Sequence, residues 1–246
     1  MERKEFLRRG FGSLLGLSGI VPLVGSCSSS TVDPATSTGT STGSTNGSSS
    51  SNCSVTPSET EGPFPTKVPA NFVIRDIRSD RTGVALTINL TIKNSNSSCA
   101  ALAGALVDIW HCDKDGYYSE YGGSGMQSVN LTNVDFLRGR QTTDANGLVA
   151  FTSIFPGWYS GRAPHIHVHI YNAAGKSLLV TQIAFPYEIT NSVYTTGQSY
   201  GYTKGSQDTT NERDNVFSDG FTTELATLSG NSSAGYTLTH TIVVSA

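Results

Sequence analysis

Charge is scarce in this chain: Asp, Glu, Lys and Arg make up 14% of 246 residues, and the formal net charge is −3. Nothing here attracts a polyanion, so nucleic acid is not an expected partner. The apolar run at residues 14–24 is too short and too Gly-rich to cross a bilayer as a helix. The four cysteines contain no C-x-x-C pair, which speaks against a cysteine zinc site. No internal repeat and no phosphate-cradling glycine motif is present, and nothing beyond the N-terminus has the periodicity of a long amphipathic helix. What the chain has instead is 26 glycines, many Ser and Thr, and 37% hydrophobic residues. That balance suits an all-β, turn-rich domain working outside the cytoplasm.

The N-terminus carries an address. Arg8-Arg9-Gly10-Phe11 precedes the apolar run, the arrangement of a twin-arginine export signal over residues 1–26. The run ends Val24-Gly25-Ser26-Cys27, similar to a bacterial lipobox except for the Gly. A lipid on Cys27 and cleavage by ordinary signal peptidase both remain open, and membrane contact is expected only through that lipid. Residues 27–52 are almost wholly Ser, Thr, Gly and Asn, a flexible tether with a reach of about 25–30 Å. Residues 53–246 are then one domain. With Cys27 set aside, Cys53, Cys99 and Cys112 predict one disulfide and one buried thiol, with the pair undetermined.

Within the domain, residues 56–65 (TPSETEGPFP) predict an extended, Pro-bounded arm. Strands are expected at 73–77, 84–92, 105–110, 148–154, 165–171, 178–185 and 236–244, with Asp144-Ala145-Asn146-Gly147 as a hairpin turn before the fourth. Residues 191–235 read as loop with short helical turns near 214–217. Short strands between Gly, Asn and Asp turns imply a single β-sandwich.

Three of the five histidines fall in His165-Ile166-His167-Val168-His169, where period-two alternation puts them on one strand face. Two imidazoles about 7 Å apart at the Cα can converge on one metal ion. A polar strand face turned to water would show the same pattern, so the surroundings must decide.

Those surroundings are Thr60-Glu61-Gly62-Pro63-Phe64, Asp108-Ile109-Trp110-His111, Gly116-Tyr117-Tyr118-Ser119, Arg138-Gly139-Arg140-Gln141-Thr142-Thr143-Asp144, Pro156-Gly157-Trp158-Tyr159 and Arg162-Ala163-Pro164-His165-Ile166-His167. In this order they resemble the intradiol ring-cleavage dioxygenases, over roughly residues 56–186. The resemblance implies a non-haem Fe(III) held by Tyr118, Tyr159, His165 and His167. It also implies a catechol-type substrate that, with O2, is opened between its hydroxylated carbons to a muconate-type dicarboxylate. Phenolates are hard anionic donors that favour Fe(III), so the set is chemically coherent. By the same resemblance Tyr159 is the ligand that substrate displaces, Arg162 steadies negative charge on the ring, and Gln182 lines the oxygen side. His169 is expected to lie outside the ligand set, His111 to support the turn bearing Tyr118, and Glu61 and Asp108 to be structural hydrogen-bond partners.

One departure is length. Only five residues separate Tyr159 from His165, fewer than the family's well-known members have, which predicts a more open pocket. The alternative to an enzyme is a non-catalytic, tethered β-sandwich that binds metal or serves adhesion. The oligomeric state is not legible.

Overall fold

Strand β1 (Ala85–Asn94) turns Leu86, Ile88, Leu90 and Ile92 inward, each no more than 1% exposed, while the residues between them stay partly accessible. This alternation makes it the centre of the first sheet. On one edge it pairs antiparallel with β2 (Ala100–Ala101) and β5 (Leu148–Ile154); on the other it pairs in parallel with β9 (Gly235–Val244), which carries β8 (Thr227–Asn231). The second sheet is antiparallel throughout, in the order β4 (Arg138–Thr142), β3 (Leu106–Trp110), β6 (His165–Tyr171), β7 (Ser177–Ala184). The two form the expected β-sandwich. The computed structural model describes residues 53–246; the stretches read as export signal and tether, with Cys27, lie outside the described residues.

The core between the sheets is filled by alternate residues, among them Val107 and Ile109 of β3 and Ile166, Val168 and Ile170 of β6, all fully buried. Burying side chains of this size contributes about 1.5–3 kcal/mol each. A one-residue slip of β6 would send the histidines into this apolar layer, so the register is strongly specified. His165, His167 and His169 therefore stand on the outer face of the second sheet. The ladders set their neighbours there: Trp110 and Gln182 flank His167, while Asp108 and Val180 flank His169.

The arm at 56–65 forms neither helix nor strand, bends at Gly62 and Pro63, and crosses this outer face. Thr56 N–H donates to Val243 O, and Glu59 N–H to Val180 O. Its start is pinned by a Cys53–Cys99 disulfide, with Cys112 left as a buried thiol. Closing a 46-residue separation stabilises the fold by about 4 kcal/mol in the chain-entropy picture.

Three sequence expectations are corrected. Residues 73–77 form no strand; a 3-10 turn at Pro69–Phe72 leads to a single bridge, Asp76 to Thr152, and Val73 and Ile74 stay exposed. The left-handed Ser79 soon turns the chain away from that edge of β5. The turn at Asp144 forms, with Asp144 Oδ1 accepting from the Asn146 and Leu148 amides, but it is no hairpin: it joins β4 in one sheet to β5 in the other. Residues 191–235 are not all loop. Helix α1 (Tyr187–Thr196) starts after Pro186, and it forms in spite of five poor helix formers among Thr, Ser and Asn because Thr190, Val193 and Tyr194 pack inward. Strand β8 was hidden by its Thr-Leu-Ser-Gly-Asn sequence, which lacks a buried face; pairing with β9 creates it.

Candidate metal centre and active site

Two loops bring the tyrosines together, and glycines let them touch. After β3 the chain turns around Asp113, whose Oδ1 accepts from the Asp115 and Tyr117 amides. Gly116 at φ +92° then lies so near the Trp158 carbonyl that a Cβ would stand 2.4 Å from its oxygen. Reciprocally, Gly157 backs onto the Asp113 and Lys114 carbonyls, and its N–H donates to Asp113 O. Tyr118 and Tyr159, one from each loop, end with ring centroids 5.9 Å apart. His111 works as expected beneath this turn: Nδ1–H donates to Cys112 O, and Nε2 accepts from the Ser153 hydroxyl.

The donor atoms converge on the histidine strand. His165 Nε2 lies 3.4 Å from Tyr118 Oη, 3.3 Å from Tyr159 Oη and 3.1 Å from His167 Nε2. Ligands about 2.0–2.2 Å from a shared ion lie roughly 3.0–3.5 Å from each other, so these spacings are those of one coordination shell. His165 Nδ1–H donates to Ala163 O at 2.6 Å, which leaves the Nε2 lone pair facing the others. His167 stacks on Trp110 with an interplanar angle of 1°, and Gly62 presses on its other side, where a Cβ would be 3.0 Å from Cε1.

Burial determines how these groups are charged without a cation. It pushes both imidazoles well below the ordinary histidine range, with nearby Arg162 adding to the effect. It raises the Tyr118 phenol well above 10 and the Tyr159 phenol to about 12, the latter opposed by Arg162. Two neutral imidazoles, His165 with its Nε2 lone pair turned inward, beside two phenols able to become phenolates, fit a hard trivalent cation. Among the described residues no group of three or more His, Cys, Asp and Glu side chains could hold a metal, and the protein donors that stand beside His165 and His167 are the two tyrosine oxygens.

The predicted positions are accordingly brought together. Arg162 is 11% exposed and donates from Nε to Asp214 and from Nη2 to Gln182 Oε1 at 2.6 Å. Gln182, fully buried, passes its amide N–H to Thr60 O and so fastens the arm. His169 stays apart from the donors, bonded to Glu61, Tyr171 and Ser177, while Asp108 pairs with Arg140. Glu61 and Asp108 are thus structural partners, as expected.

Three residues escaped the sequence reading. Gln127 is buried and bonds in both directions to the Tyr118 backbone, yet a Gln in a Gly/Ser-rich loop carries no signal. Arg138, 1% exposed, joins Ser119 to Phe64 O and so ties the Tyr118 turn to the arm; it sits in a quoted motif, but its partner lies 74 residues away. Asp214 lies in a stretch read as loop. Phe64, Tyr117, Met126, Gln127 and Tyr159 line a partly open cleft of about 100 Å³, with Lys204 and Asp115 at its edge. Tyr159 borders this cleft, whereas Tyr118 is 1% exposed.

Residues 67–192 match a protein-family model described as Dioxygenase. The fold is similar to that of an intradiol ring-cleavage dioxygenase from Tetranychus urticae, at 29% identity and TM-score 0.68, over 78% of this chain and 95% of that one. It is also similar to the dioxygenase domain of a dioxygenase carbohydrate-binding protein fusion from Streptomyces sp. SirexAA-E, at 26% identity and TM-score 0.54, over 78% and 99%. A chlorocatechol 1,2-dioxygenase from Rhodococcus opacus is 28% identical over 128 residues, 44% of this chain and 46% of that enzyme. The match thus spans about half the length of that relative.

Proposed function

Because this chain belongs to the intradiol ring-cleavage dioxygenases, we propose that it holds Fe(III) through Tyr118, Tyr159, His165 and His167 and opens catechol-type rings between their two hydroxylated carbons, giving muconate-type dicarboxylates. The convergence of three donor atoms at 3.1–3.4 Å around a fourth, His165 Nε2, carries this reading. When bound, a ferric ion held by this set would supply Lewis acidity and an electron-accepting centre.

The remaining work belongs to the side chains. Tyr159 is the phenol that meets the cleft, so its Oη is placed to take a proton from an entering catechol. Tyr118 and both histidines are covered, and their role is to hold. The Arg162 guanidinium sits beside the donors and offsets negative charge that builds on the ring. Gln182 keeps Arg162 oriented while bonding to the arm that closes the site over His167.

We further propose that the protein works outside the cytoplasm, a reading supported by Arg8-Arg9 and the residues around Cys27. Its partners are a small aromatic diol and O2.

Purified protein is expected to carry about one ferric ion per chain and to be red to burgundy from tyrosinate-to-Fe(III) charge transfer. It should convert catechol to a muconate. Stoichiometric zinc with no visible band would end the site assignment, and a yellow hydroxymuconic semialdehyde would end the intradiol mechanism.

A further inference from the structure

The connection from Tyr159 to His165 is short, with one backbone bond of its own from Arg162 N–H to Tyr159 O, and Gly161 within it sits at φ +84° with open space where a Cβ would be. A segment beyond the family-matched residues 67–192 lies alongside it. Lys204 Nζ donates to Trp158 O, Ser160 Oγ and the Gly161 amide donate to Asp208, and Arg162 and Ala163 meet Asp214.

We propose that Asp214 is a positioning residue of the reaction, acting through Arg162 and Ala163; this rests on the function given above. Its carboxylate is fully buried, and every partner is a donor: Arg162 Nε on both oxygens at 3.0 and 2.8 Å, the Ala163 amide at 2.6 Å and the Val216 amide at 2.8 Å. Two consecutive residues are therefore held by one anion, and each reaches the metal centre by a different route. Arg162 is gripped at Nε by Asp214 and at Nη2 by Gln182, which sets the plane of its guanidinium. Ala163, anchored at its N–H, presents its carbonyl to His165 Nδ1–H and so sets the tautomer that leaves Nε2 as a donor. A purely structural ion pair would stabilise the fold without touching either route.

Two substitutions separate the routes. Asp214→Asn keeps an oxygen for the Ala163 amide but loses the ionic grip on Arg162; Asp214→Ala loses both. Metal-free protein titrated with Co(II) alone reads the histidine route: Asp214→Asn is expected within about threefold of the parent, and Asp214→Ala about tenfold weaker. Turnover of catechol by the iron-loaded protein reads the arginine route. Asp214→Asn is expected to lower kcat about tenfold or more with KM changed less than about threefold, but to change kcat less than about twofold when Arg162→Gln is already present.

An undiminished Asp214→Asn loss in the Arg162→Gln background, or unchanged Co(II) affinity in Asp214→Ala, would overturn the proposal. If the single variants fail to fold, Co(II) affinity of Arg162→Gln/Asp214→Ala against Arg162→Gln decides it by the same tenfold criterion. A parent protein inactive on every catechol would defeat the dioxygenase reading while leaving the Co(II) comparison intact.

Discussion

Gly116 and Trp158 meet with no room for a side chain between them: a Cβ at 116 would lie 2.4 Å from the Trp158 carbonyl oxygen. The contact joins the loop of Tyr118 to the loop of Tyr159, and Gly157 repeats it from the other side. The spacing of the two phenols depends on it.

Gly116→Ala is therefore expected to separate the loops. The positive φ and the clash together should cost about 2–4 kcal/mol, read as a lower urea midpoint, and the visible iron band should weaken or vanish. A variant with unchanged band and midpoint would show that the close approach does not set the tyrosine geometry.

Tyr159→Phe should keep most of the iron but slow substrate binding or turnover, because this phenol borders the cleft while Tyr118 is covered. His167→Ala should lose most of the iron, since among the described residues no imidazole or carboxylate besides His165 stands at the centre to replace it. Metal analysis and steady-state kinetics check both; equal iron and equal activity in the two variants would mean the roles are misassigned.

Glu224 carries a pH prediction away from the metal. Its carboxyl is fully covered, one oxygen accepts from Thr181 and the other has no partner, and burial with nearby Glu59 raises its pKa from 4.5 to about 8. Between those values the unfolded chain releases the proton and the folded protein keeps it. Stability therefore falls as pH rises from about 4.5 to about 8 and levels off above. Glu224→Gln should remove that slope and be the more stable protein at pH 8 by on the order of 2–4 kcal/mol. Parallel urea titrations from pH 5 to 8.5 test it, and identical slopes would place the proton elsewhere.

Catechols with bulky 4-substituents should lose little rate relative to catechol. The cleft is partly open, and Met126 on its wall is 76% exposed, so little fixed surface confronts a large substituent. A steep fall in kcat/KM with substituent size would refute an open pocket and leave the iron chemistry standing.

Much of this was legible in one dimension. Period-two alternation revealed β1 and the histidine strand, and the six short motifs pointed to the dioxygenase family, because side-chain direction on a strand follows directly from sequence position. The same alternation says that His165 and His167 share a face. It says nothing of what lies opposite. Two phenols 41 residues apart meet only because Gly116 and Gly157 let their loops interlock. The pairing of Cys53 with Cys99, the turn at Asp144 that crosses between sheets, and the helix at Tyr187–Thr196 likewise depend on partners distant in the chain. Asp214 is the clearest case. In sequence it is one polar residue in a polar loop; in the folded protein, burial strips it of water and four hydrogen bonds from Arg162, Ala163 and Val216 replace it. Residue types determined which chemistry this chain could perform, but the distances that bring it about come from long-range packing, which no local pattern encodes.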